Sequence, residues 1–129
     1  MSGIRSEPLA RRLASLADSK KAEDIVVLDM RKLVAYTDFL VICTARNDRQ
    51  AKAVADEARL QIKQETGLLP SGVDGAGEAG WFILDYLDCI LHVFTTEARD
   101  RYQLADLWRD APRLELDLDP PEAPTAASA

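Results

Sequence analysis

The sequence predicts a single α/β domain built on a mixed β-sheet flanked by helices. Three observations lead there. Phe39–Cys43 is apolar on both faces, as a central strand covered on both sides must be. A helix-patterned stretch of about 48–66 follows it directly, which gives the strand–helix–strand rhythm of an α/β sheet. Two later strand-like runs, Trp81–Asp85 and Cys89–Thr95, are separated only by Tyr86, Leu87 and Asp88, so they must pair antiparallel as a hairpin.

Taken in order, Ser6 can cap a helix with Pro8 at its second position. Leu9, Leu13, Leu16 and Ala17 recur at helical spacing, which predicts an amphipathic helix over 7–21. Ile25–Leu28 reads as a first strand, and 31–37 as a mixed connection with room for one more short pairing. Asn47 with Gln50 forms a variant capping box at the start of the next helix. Ala51, Val54, Ala55, Ala58 and Ile62 make that helix's buried stripe, and Gly67 is its C′ residue. Four glycines and Pro70 make 68–80 a loop with at most one short extended piece. Thr95 or Thr96 caps a last helix over about 97–109, which Pro112 prevents from continuing cleanly. The helix between Phe39–Cys43 and Trp81–Asp85 predicts that these two strands lie parallel through a right-handed crossover. The domain should span 1–116, and 117–129, rich in Pro, Ala and acids, should be disordered.

The chain has 129 residues, 47% of them hydrophobic and 29% charged, with a net charge of −6. An acidic chain does not bind nucleic-acid backbone through its overall field, but it suits a basic protein. No apolar run approaches the roughly 20 residues that span a bilayer. Cys43 and Cys89 each sit in an apolar run, as buried thiols of a reducing compartment would, and the expected location is cytoplasmic. No cofactor or metal is expected. Gly75 to Gly80 spells G-x-G-x-x-G, yet a strand follows where a dinucleotide site needs a helix. Asp85 and Asp88 could be proposed as metal ligands for phosphoryl transfer, yet in a regular strand they would diverge unless the turn folds them together, and turn or interface carboxylates are the plainer reading. His92, in phase with Ile90 and Phe94, reads as a packed strand residue.

What remains is the stretch Trp81–Trp108. It holds both tryptophans, two of the three tyrosines, the one histidine and an excess of acids. Trp108 suits a core plug, while Trp81 suits a core position and a binding anchor equally. Rings beside carboxylates suit docking onto a basic protein; a solvated face is the plainer reading of the same charges.

Thr37-Asp38-Phe39-Leu40-Val41-Ile42 followed by Asp48-Arg49-Gln50 resembles a stretch of the ribosomal silencing factor family, also called iojap-related proteins. Trp81–Phe94 is similar to its W-(I/V)-x-x-D-x-G-D hairpin, and Arg99–Trp108 to its closing R-x-x-Y-x-L-E-x-L-W. This resemblance, covering about Ile25 to Trp108, implies a nucleotidyltransferase-like fold without the catalytic residues. It implies a non-enzymatic translational repressor that binds the large ribosomal subunit through its protein number fourteen. There it would block the small subunit sterically when nutrients are scarce. The positions carried over are Trp81, Asp85, Tyr86 and Asp88, with Arg101 and Tyr102 on the following helix. The resemblance is also compatible with a large-subunit assembly factor. A metal-dependent nucleotidyltransferase-like enzyme using Asp85 and Asp88 is the rival from another class, and the exposed hairpin could support a homodimer off the ribosome. Leu87 stands where the family has glycine at a turn that calls for positive φ, Ala45-Arg46-Asn47 replaces its G-T-S, and Asp106 replaces a glutamate.

Overall fold

Strand β2 (Phe39–Ala45) is buried at all seven of its positions, as an apolar run with no polar face requires. The computed structural model describes residues 5–74 and 80–116. Around β2 the chain places α1 (Ser6–Ser19), β1 (Glu23–Asp29), α2 (Asp48–Thr66), β3 (Gly72–Asp74), β4 (Trp81–Asp85), β5 (Cys89–Thr95), α3 (Thr96–Tyr102) and α4 (Leu104–Leu107). The five strands form one mixed sheet in the order β1-β2-β5-β4-β3.

The hairpin of β4 and β5 is antiparallel, with Trp81 opposite Phe94 and Asp85 opposite Ile90. The expected parallel pairing of Phe39–Cys43 with Trp81–Asp85 is not what forms. The parallel partner of β2 is β5, with Phe39 opposite Cys89 and Ala45 opposite Thr95. Strand β4 therefore runs antiparallel to β2 and lies one place further out. Burial accounts for the order. Most of β5 is buried, whereas β4 buries only Leu84 outright, so the more apolar arm of the hairpin takes the central place. The short extended piece in the glycine loop is β3, antiparallel to β4, and the chain leaving α2 reaches the sheet there.

The two sheet faces are unequally covered. Helices α1 and α2 pack on one through Leu9, Leu13, Val54 and Ile62, against Phe39, Val41, Leu84 and Leu91. Alanines at 10, 14, 51 and 58, all fully buried, line these helices. The other face carries Leu28, Leu40, Ile42 and Phe94 under a thinner cover that includes Ala98 of α3, Ala111 and half-buried Trp108. Past α4 the chain returns to the outer edge of β1. There the Asp29 amide donates to the Pro112 carbonyl (2.8 Å) and the Leu114 amide to Val27 (2.9 Å). Arg113 bridges Leu28, whereas 31–37 forms no strand.

Local signals set most boundaries. The Gln50 amide donates to Asn47 Oδ1 at 2.8 Å, while Gln50 Oε1 accepts from the Arg46 amide at 2.7 Å. Gly67 ends α2 with φ 79°. Thr95 rather than Thr96 caps α3, accepting from Ala98. Two expectations are corrected. Ser6 lies inside α1, whose N-cap is Arg5 with no side-chain cap, and α1 ends at Ser19 because Lys21 takes a positive φ. The single helix over 97–109 is broken at Gln103, whose left-handed conformation (φ 47°) ends α3 and starts a new direction. That change of direction lets Trp108 and Ala111 reach the sheet. The expected disordered tail over 117–129 and most of the Gly75–Gly80 motif lie outside the described residues.

Candidate partner-binding face

The alternation along β4 decides what this face presents. Trp81, Ile83 and Asp85 pair with Phe94, His92 and Ile90 of β5 on the thinly covered side, while Phe82 and Leu84 point toward α1 and α2. Trp81 is half-buried. Its ring stacks on Phe94 with centroids 4.9 Å apart and meets Tyr102 of α3 at 4.6 Å. Tyr102 remains 40% exposed, so the pair forms a ring surface open to solvent. The Trp81 ring thus packs on buried Phe94 and also meets the more exposed Tyr102.

His92 holds that tryptophan in place. Trp81 Nε1–H donates to His92 Nδ1 at 3.0 Å, so the neutral imidazole carries its proton on Nε2. Burial pushes the His92 pKa down to about 4, against the opposing pull of the Asp85 carboxylate. The histidine is a positioning residue, in keeping with its reading as a packed strand position.

The turn beyond β4 is tight. Asp85 Oδ1 accepts from the Leu87 amide at 2.8 Å, and the Asp88 amide donates to the Tyr86 carbonyl at 2.9 Å. A hydrogen bond across one residue with φ 73° at Leu87 is a γ-turn of the sterically costly hand. The Asp88 carbonyl accepts from the amides of both Asp38 and Phe39, which ties the turn to the start of β2. The Asp88 side chain is exposed, and Leu87 presents an exposed apolar tip beside it.

Tyr86 does not share this surface. Its ring is 7% exposed and packs with the α1–α2 core, on the opposite side of the sheet from Trp81. Continuing the alternation of β4 by one residue explains the placement. Its buried hydroxyl has no hydrogen-bond partner among the described residues, and desolvation pushes its pKa up to about 12. Arg101 is exposed on α3. The structure thus brings together Trp81 and Tyr102, sets Asp85 on the same face at the far end of β4, adds Asp88 at the turn, leaves Arg101 on the flank, and withdraws Tyr86. It also brings in Ile83 and Ile90, neither singled out from the sequence, although the two-residue period already aligned Ile83 with Trp81 and Asp85.

No group of three or more metal-ligating side chains occurs among the described residues. Both cysteines are free and buried, and desolvation raises each thiol to about 12, far from the thiolate a nucleophile needs. No helix among the described residues is long and apolar enough to cross a membrane.

Fold and face together define a small α/β domain with an open ring-and-carboxylate surface. Residues 4–129 match the family model described as ribosomal silencing factor during starvation. The chain is 38% identical over 114 residues to the ribosomal silencing factor of Bacillus subtilis, covering 88% of this chain and 96% of that one. It is 33% identical to the chloroplastic Iojap protein of Zea mays over 83% of this chain and 46% of that longer one. A crystal structure from Bacillus halodurans superposes with a TM-score of 0.71 at 34% identity, covering 87% of this chain and all of that one. One from Chromobacterium violaceum shares the fold with a TM-score of 0.78 at 24% identity, covering 88% and 93%. The chain belongs to the ribosomal silencing factor family.

Proposed function

We propose that this protein is a non-enzymatic translational repressor that docks on the large ribosomal subunit through protein number fourteen. It occupies ground the small subunit needs and lowers translation when nutrients are scarce. The observation that carries the reading is the open Trp81–Tyr102 ring pair at one end of β4, with Asp85 on the same face at the other end and Asp88 in the turn beyond it; rings and carboxylates in that arrangement suit a basic protein partner. Trp81 serves as the central anchor, the carboxylates supply charge complementarity, and Arg101 flanks the contact. Tyr86 secures the turn from inside. Steric exclusion requires only that the domain stay bound, so no covalent step enters. Off the ribosome the same face supports self-association, which sedimentation velocity at increasing concentration would detect.

The test is subunit reassociation on a sucrose gradient. Wild-type protein should travel with large subunits and reduce coupled ribosomes. Trp81→Ala should lose about 2 kcal/mol or more of binding, as truncation of a central aromatic does. Asp88→Lys, at an exposed position, should lose binding with the fold intact. Normal co-sedimentation of both variants would refute the site, and an unchanged gradient with wild-type protein would refute the function.

A further inference from the structure

Away from the ring surface, the side chains of Arg5, Arg11 and Arg31 line one open groove of about 640 Å³ together with Ser6, Glu7 and Pro8. In a chain of net charge −6, three guanidiniums on one groove stand against the overall field. We infer that this groove is a second contact, one that takes a backbone phosphate of the large subunit's RNA. The inference rests on the docking reading above.

Two of the three heads are already held. Asp29 takes Arg31 in a two-pronged pair, Nε to Oδ1 at 2.9 Å and Nη2 to Oδ2 at 2.7 Å, and the guanidinium lies over Phe39 at 5.0 Å. Arg11 donates through Nε to Glu7 at 3.1 Å and through Nη1 to the Glu115 carbonyl at 2.8 Å. A guanidinium has five N–H donors in a fixed fork, so these bonds orient the heads and leave donors for an incoming oxyanion. Orientation in advance lowers the entropy lost on binding. The carboxylates of Glu7, Asp29 and Asp38 offset the three guanidiniums, so what the groove offers an oxyanion is the free N–H donors of its oriented heads. Asp38, on the side of Arg31 toward the turn, marks where the groove gives way to the acidic surface.

The groove adjoins the turn at the acidic end of the proposed docking surface. Cys89, which follows Asp88 in the turn, donates through Sγ to the Ser6 carbonyl at 3.0 Å, so the start of α1 and the turn are neighbours. A domain whose acidic turn meets a basic ribosomal protein brings this basic groove beside it, and the surroundings of a ribosomal protein are RNA phosphates. Acid against the protein and base against the RNA would together fix the orientation of a small domain.

The test is binding to purified large subunits across a potassium chloride series, with the isolated protein number fourteen as a second target. Arg5→Gln/Arg31→Gln should bind subunits about tenfold more weakly at low salt, and its log–log salt slope should be shallower by roughly 1. Its binding to the isolated protein should equal that of wild type. Arg5→Gln/Arg11→Gln, which leaves the Arg31–Asp29 pair intact, should behave alike and guards against a folding defect. Wild-type affinity and slope in both variants would overturn the inference alone. Equal weakening toward the isolated protein would assign the arginines to the protein contact and overturn the RNA assignment. A wild-type protein that ignores subunits at every salt concentration would overturn the docking reading, and this inference with it.

Discussion

His92 is the only histidine in the chain, so its titration can be followed without assignment ambiguity. In the fold its Nδ1 accepts from Trp81 Nε1–H. Protonation would set a second donor against that N–H and place a charge in a desolvated site. The folded pKa is therefore lowered from 6.5 to about 4. Because the unfolded chain takes up the proton first, the stability contributed is full above pH 6.5 and is lost as pH falls toward 4. At about 1.36 kcal/mol per decade that window is worth ~3 kcal/mol, and roughly 2–3 kcal/mol should already be gone by pH 4.5. Imidazole nitrogen shifts followed by NMR should show the Nε2–H tautomer at neutral pH and a midpoint near 4. Urea unfolding at pH 7 and pH 4.5 should show the corresponding loss, beyond that of His92→Gln measured in parallel. A midpoint near 6.5, or a loss identical in the variant, would refute the buried-acceptor account of the Trp81–His92 pair.

Other outcomes follow from the backbone. Leu87→Gly should raise stability by about 1 kcal/mol, because it relieves a left-handed residue whose side chain is 61% exposed; Leu87→Ala should bring no such gain in the same urea titration. Gly80→Ala should cost roughly 2–4 kcal/mol, since φ is 67° there and an added Cβ would run into the Thr95 hydroxyl that caps α3. A thermal shift within error of wild type would disprove that clash. Asn47→Ala should cost about 1 kcal/mol through the lost bond to the Gln50 amide, measurable as a lowered urea midpoint.

What the sequence made legible was local. The Asn47 cap, the Gly67 stop and the Tyr86–Asp88 turn depend on residues within a few positions of each other, and all appear in the fold. The place of β4 in the sheet did not, because a hairpin pattern says that two strands pair and not which of them faces β2. The break at Gln103 was hidden for a related reason: a continuous helical pattern fits 97–109, and only the need to carry Trp108 back to the sheet bends the chain there. For the site, Trp81 and Asp85 share one face of β4, as the two-residue period of a strand predicts, and Trp81 meets Tyr102 only through the fold, whereas Tyr86 continues the strand's alternation and turns its ring to the opposite side. The arginine groove combines residues from α1 and from beyond β1, and no linear pattern announces it.

The return of residues 112–114 to the edge of β1 bears on how the protein is made. Strand β1 leaves the ribosome early, yet the carbonyl and amide that complete its outer edge belong to nearly the last residues of the domain to be synthesised. Until they emerge, a growing chain exposes an unpaired strand edge able to recruit other extended segments. Truncation before Pro112 would make that transient condition permanent, and the fragment should aggregate where the intact domain stays dispersed.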